Sequence, residues 1–216
     1  MKLIGQYDSP FVRRVAVAMN HYGMSFERKA LSVFADFEEM LTLNPLGRVP
    51  VLVLDDGECL FDSRMILDYL DELVPNERRL VPSELTERRQ VLRIEAIALG
   101  LAEKCYERGI EFARRNPEKI DYEWTARLKK QILSALHWLE AFQPEPWFCY
   151  SRFTHADITC AVALTFLREK QQIRLEPGAY PALDRHCNRC EKLPEFNASK
   201  YSAAEAARSG WRAREL

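Results

Sequence analysis

Strand patterns are confined to the first third of this 216-residue chain, and that asymmetry limits its folds more than any other feature. Residues 2–6 read as a short strand, Pro10–Tyr22 as an apolar helix closed by Gly23, residues 26–31 as a second strand and residues 36–43 as a weak helix. Residues 51–54 and 58–61 flank Asp55-Asp56-Gly57, a hairpin signature. Over residues 63–73, Ile66, Leu67, Tyr69, Leu70 and Leu73 recur at helical spacing. The order β-α-β-α-β-β-α implies a small α/β domain over residues 1–76. From Glu84 the strand signals vanish. Residues 86–113 read as one long helix stopped at Asn116-Pro117, and residues 121–142 carry Leu128, Ile132, Leu136 and Leu139 on one helical face. Further helices begin near His155 and after Pro181. A Pro-containing connector from Val74 to Ser83 separates the halves, so residues 84–216 form an all-helical domain. The expected class is α/β plus all-α.

Composition narrows what such a chain does. At 47% hydrophobic it has material for proper cores, yet no run approaches the roughly 18 apolar residues of a membrane span. The start Met1-Lys2-Leu3-Ile4-Gly5 runs into a strand pattern without a signal-peptide core. Six cysteines lie scattered through apolar stretches, unlike a secreted disulfide scaffold. A cytoplasmic protein with reduced thiols is expected. Residues 1–76 hold 7 Lys+Arg against 12 Asp+Glu, and the remainder 24 against 20. Such unevenness marks either an anionic ligand or partner, or the solvated faces of long helices, and the latter is the favoured reading. No basic cluster is interleaved with aromatics as nucleic-acid binding requires, so neither nucleic acid nor membrane is an expected partner.

Three strings carry chemistry. In Ser9-Pro10-Phe11-Val12, a strong N-cap residue precedes a Pro suited to the first helical position. Ser9 therefore either caps its helix or stands at an anion site made by the helix N-terminus. In Asn44-Pro45-Leu46-Gly47-Arg48-Val49-Pro50-Val51, Pro50 sits at a strand entry, where its missing N–H is tolerated. A cis Val49–Pro50 bond would leave the Val49 backbone free to pair with an extended peptide. In Phe61-Asp62-Ser63-Arg64, Asp62 is a natural N-cap and Ser63 opens the helix. That is either an ordinary capped helix or a site for an amino-acid head group, its carboxylate at the helix start and its ammonium on Asp62.

Together the three strings resemble the cytosolic glutathione S-transferase superfamily, in the manner of bacterial members with a Ser-Pro-Phe-Val-Arg start, over essentially the whole chain. The resemblance implies a thioredoxin-like N-terminal domain followed by a C-terminal helical bundle, glutathione as co-substrate, and a homodimer. It implies that Ser9 contacts the glutathione sulfur, that Val49 with cis Pro50 bonds the cysteinyl backbone, and that Asp62 with Ser63 holds the γ-glutamyl end. Arg48, inside the second string, joins the glutathione-contacting set. Tyr7 is a rival to Ser9, because some classes use a Tyr near this strand end. Phe11 and Tyr106 either line the pocket of a hydrophobic electrophile or belong to plain cores. Thr154-His155-Ala156-Asp157 resembles the family's structural box at a buried helix start, with Phe153 and Ile158 at staple positions.

The implied activity is a glutathione transferase that activates the glutathione thiol for attack on a hydrophobic electrophile or a peroxide. A non-enzymatic interaction protein of the stringent starvation type is the alternative on the same fold. Position 9 lacks the cysteine that dithiol or dehalogenating chemistry uses. One Cys-x-x-Cys, Cys187 to Cys190 after His186, is weak evidence for metal, and no metal is expected.

Overall fold

The computed structural model describes residues 1–149, 152–170, 173, 175–202 and 205. Contacts divide the chain into two units: Met1–Leu80 together with the described residues from Lys192 onward, and Val81–Glu191.

The first unit begins with β1 (Lys2–Ile4), α1 (Pro10–Tyr22), β2 (Glu27–Lys29) and α2 (Phe37–Leu43), then β3 (Val51–Val53), β4 (Cys59–Phe61) and α3 (Ser63–Glu72). Local signals set these limits. Pro10 fixes the first residue of α1, and Gly23 ends it at φ 71°, a left-handed position suited to glycine. The sheet has the order β2-β1-β3-β4, with β1 parallel to β2 and the other pairs antiparallel. Ile4, Leu31, Met40 and Val51 form a core cluster, against which Leu43, Val49, Val53 and Cys59 pack. The strands are shorter than expected, and β1 stops at Ile4 because Gly5 turns the chain out of the ladder at φ 129°.

The second unit holds α4 (Leu85–Arg114), α5 (Tyr122–Glu140), α6 (His155–Glu169) and α7 (Pro181–Cys190). Helix α6 is buried along nearly its whole length and packs on α4 and α7. Its start carries the expected capping box: Thr154 donates to Asp157 Oδ2 from both its N–H (2.8 Å) and its hydroxyl (2.9 Å). The Phe148 N–H donates to Oδ1 at 2.9 Å.

The segment after residue 191 departs from the expected boundary, which assigned it to the helical half. A short helix, α8 (Pro194–Asn197), packs on α1 in the first unit. Phe196 is fully buried with the Arg13 guanidinium 5.6 Å from its ring centroid, and Arg13 Nε donates to the Ser199 carbonyl at 3.2 Å. Asn20 Nδ2 donates to Ser199 Oγ at 3.0 Å.

Candidate functional site

Strand register gathers the three strings at one edge of the sheet. Ile4, the last residue of β1, pairs with Val51, the first of β3, and Val51 pairs with Phe61, the last of β4. The exit of β1 towards Ser9, the entry of β3 from Val49-Pro50 and the exit of β4 into Asp62-Ser63 therefore share one edge. Close packing confirms the proximity. A Cβ on Gly5 would lie 2.6 Å from Val12 Cγ2 and 3.0 Å from Val49 Cβ, and Arg14 Nη1 lies 3.4 Å from Ser63 Oγ.

Ser9 is the N-cap of α1 in extended backbone geometry, and its carbonyl accepts the Arg13 N–H at 2.9 Å. Its hydroxyl makes no capping hydrogen bond. The side-chain cap, one of the two readings of its position, is absent, and among the described residues its hydroxyl has no other partner.

The Val49–Pro50 peptide is cis. The loop before it is built on buried Asn44, whose Nδ2 donates to the Arg48 carbonyl (2.9 Å) and whose Oδ1 accepts the Leu46 N–H (3.0 Å). Gly47 closes the turn at φ 59°, its N–H donating to the Asn44 carbonyl at 2.8 Å. Among the described residues, no backbone group bonds the Val49 N–H or carbonyl. The Arg48 side chain is exposed beside it.

Asp62 caps α3 from a strained backbone, φ 67° and ψ 128°, a region that costs a non-glycine residue about 1–3 kcal/mol. Its Oδ1 accepts the Arg64 N–H at 2.8 Å. Ser63 is buried at the first helical position.

Tyr7 follows the end of β1 and lies on the side of β2. Its ring lies under the Arg28 guanidinium of β2, 3.4 Å from the centroid, and Arg28 pairs with Glu205. Gln6 Nε2 donates to the Glu205 carbonyl at 2.8 Å. Burial pushes the Tyr7 phenol above its ordinary pKa, opposed by Arg28 and assisted by Glu205. Phe11 is half-buried in the first turn of α1, and Tyr106 is half-buried on α4 of the other unit.

The chain matches the N-terminal domain of glutathione S-transferase over residues 3–78 and the C-terminal domain over residues 122–189. It is 34% identical over 179 residues to the uncharacterized GST-like protein YibF of Escherichia coli (strain K12), covering 82% of this chain and 86% of that one. It belongs to the glutathione S-transferase family. It is also similar to a solved glutathione S-transferase from Methylobacillus flagellatus KT with glutathione bound. That likeness has a TM-score of 0.86 and 29% identity, over 93% of this chain and 99% of that one. The stringent starvation protein A homolog of Haemophilus influenzae is 31% identical over 166 residues, 76% of this chain and 72% of that protein.

A glutathione S-transferase fold accounts for both halves: a thioredoxin-like four-stranded unit and a helical one, as the sequence led us to expect. Gly5, Arg14 and the structural part played by Asn44 do not stand out in the sequence as parts of the site. Asn44 was visible only as part of a string, while Gly5 and Arg14 matter through neighbours distant in the chain. Cys187 and Cys190 are packing residues: Cys187 Sγ approaches the Ala161 carbonyl (3.7 Å), and Cys190 Sγ approaches His186 Nε2 (3.6 Å). Among the described residues no three His, Cys, Asp or Glu side chains are grouped to hold a metal. Burial pushes the Cys105 thiol up to about 12 and the Cys149 thiol up to about 11, so neither is a thiolate at neutral pH. Among the described residues no helix is long and apolar enough to cross a membrane.

Proposed function

We propose that this protein is a glutathione transferase whose nucleophile is the thiol of glutathione, held by the first unit and ionised at Ser9. The observation that carries the reading is the uncommitted Ser9 hydroxyl at the N-terminus of α1. Val49 offers its backbone to the cysteinyl residue, with Arg48 beside it, and Asp62 with Ser63 takes the γ-glutamyl head group. The energetics are adequate. Lowering a thiol pKa of about 8.5 by ~2 units needs about 2.7 kcal/mol. A hydroxyl hydrogen bond to a charged sulfur contributes about 1.5–3 kcal/mol, and the helix N-terminus adds ~0.3–1 kcal/mol.

The second substrate is a small hydrophobic electrophile or a peroxide, with Phe11 in the first turn of α1 as a pocket residue. The protein acts in the cytoplasm as a homodimer, which light scattering at twice the 25.2 kDa chain mass checks. Calorimetric titration with glutathione tests the core of the reading, with roughly micromolar to millimolar affinity expected. Absence of heat and of any melting-temperature shift at millimolar glutathione would refute it. That outcome would favour an interaction protein, the reading supported by the likeness to a stringent starvation protein A homolog.

A further inference from the structure

We propose that Arg14 is a positioning residue for the glutathione site, turning the Ser63 hydroxyl so that its proton faces the γ-glutamyl α-carboxylate. This rests on the glutathione reading above and adds to it a residue behind the site and the ligand group it serves.

Arg14 lies in α1 with no exposed surface, and its Nη1 is 3.4 Å from Ser63 Oγ. A guanidinium in a protein interior is costly unless it serves acceptors there. The chemistry of the pair fixes the direction of the contact. A guanidinium carries only donors, whereas a hydroxyl has one donor and two acceptor positions. Arg14 therefore donates and the Ser63 oxygen accepts, which leaves the Ser63 proton for a third group. At 3.4 Å the bond is long, so its effect is orientation rather than strength.

The third group is anionic. Ser63 is the first residue of α3, where free backbone N–H groups and the positive dipole end already favour a carboxylate. Asp62, one residue earlier, has a second carboxylate oxygen that engages nothing among the described residues, and it suits an ammonium group. The arrangement selects an α-amino acid head group, and Arg14 serves its carboxylate.

The test compares glutathione with 4-aminobutanoyl-cysteinylglycine, which is glutathione without the α-carboxylate, by calorimetry or by displacement at millimolar concentration. Arg14→Met should weaken glutathione about ten- to a hundredfold, leave affinity for the analogue within about twofold of wild type, and keep the pH–rate profile. Arg14→Lys, which retains the charge, should recover part of the loss, and its effect should largely vanish in a Ser63→Ala background. If Arg14→Met fails to fold by circular dichroism, the Lys variant and this double-mutant cycle decide. Unchanged glutathione affinity in folded Arg14 variants, equal losses for both ligands, or additive effects with Ser63→Ala would each overturn the assignment. A wild-type protein that binds no glutathione would overturn the underlying reading and this one with it.

Discussion

The guanidinium of Arg28 lies over the ring of Tyr7, 3.4 Å from its centroid, and pins that phenol on the β2 side of β1. Ser9 stands at the edge where β1, β3 and β4 meet their loops, with its hydroxyl unspent. The two candidates for the sulfur contact thus have different surroundings. Ser9→Ala should raise the pKa of bound glutathione thiol by about one to two units and lower activity at neutral pH about ten- to a hundredfold, recovering partly in alkali. Tyr7→Phe should leave that titration unmoved. Thiolate absorbance of bound glutathione against pH checks both, and a shift seen only in Tyr7→Phe would transfer the role to Tyr7.

Gly5 should tolerate no side chain. Its φ of 129° is unfavourable for any other residue, and a Cβ would press on both Val12 and Val49. Gly5→Ala should cost about 1–3 kcal/mol in stability and weaken glutathione by displacing Val49. Gly23→Ala is the control, with φ 71° but open space around the Cβ: it should lose some stability and keep its glutathione affinity. Urea unfolding and titration of the two variants make the comparison, and equal effects on ligand would contradict it.

In the helical unit, His186 Nε2 lies 3.3 Å from the Asp157 carbonyl and 3.8 Å from Asp157 Oδ1, with both side chains fully buried. Burial pushes the Asp157 carboxyl up to about 6 and the His186 imidazole down to about 4. The signs oppose. Between about 3.8 and 6 the folded state holds the Asp157 proton more tightly, so that group stabilises increasingly as pH falls. Between about 6.5 and 4 the unfolded state binds the His186 proton more readily, so that group destabilises as pH falls. Relative to wild type, Asp157→Asn should lose stability from pH 6 towards 4, and His186→Gln should gain it. Parallel curves of unfolding free energy against pH for all three proteins would rule this out.

Phe196 should matter to the first unit, although about 120 residues separate it from Leu80, the end of that unit's opening stretch. Its ring is fully buried against α1, so Phe196→Ala should cost about 3–5 kcal/mol. Hydrogen exchange should show the loss in amides of α1 rather than in α5 or α6. Loss confined to the helical unit would contradict the packing.

The elements most legible in the sequence are those set by neighbouring residues. Helix α1 runs over Pro10–Tyr22 as read, because a Pro at its first position and Gly23 after its last are local signals. The turn at Asp55-Asp56-Gly57 was equally plain, with Gly57 at φ 91°. Strand limits were overextended: Leu54 and Glu58 pair across the turn, outside the strands proper. The three loops of the candidate site were legible as strings, but their meeting at one edge depends on register, which composition does not encode. Arg14 was hidden for a similar reason. A charged residue on a helix reads as solvated until α3 is laid over it. Helix α8 has only four residues, too few for any periodicity to show.

The return of residues 192–202 and 205 to α1 and β2 makes the helical unit, in chain topology, an insertion within the first unit. During synthesis from the N-terminus, the ribosome must therefore release all of α4 to α7 before Phe196 and Ser199 reach their places. Until then Arg13 and Asn20 lack those partners, and α1 keeps an uncovered face. Excising residues 1–80 as an independent module would leave that face permanently open. Joining residue 80 to residue 192 through a short linker is the topologically consistent way to isolate the thioredoxin-like half.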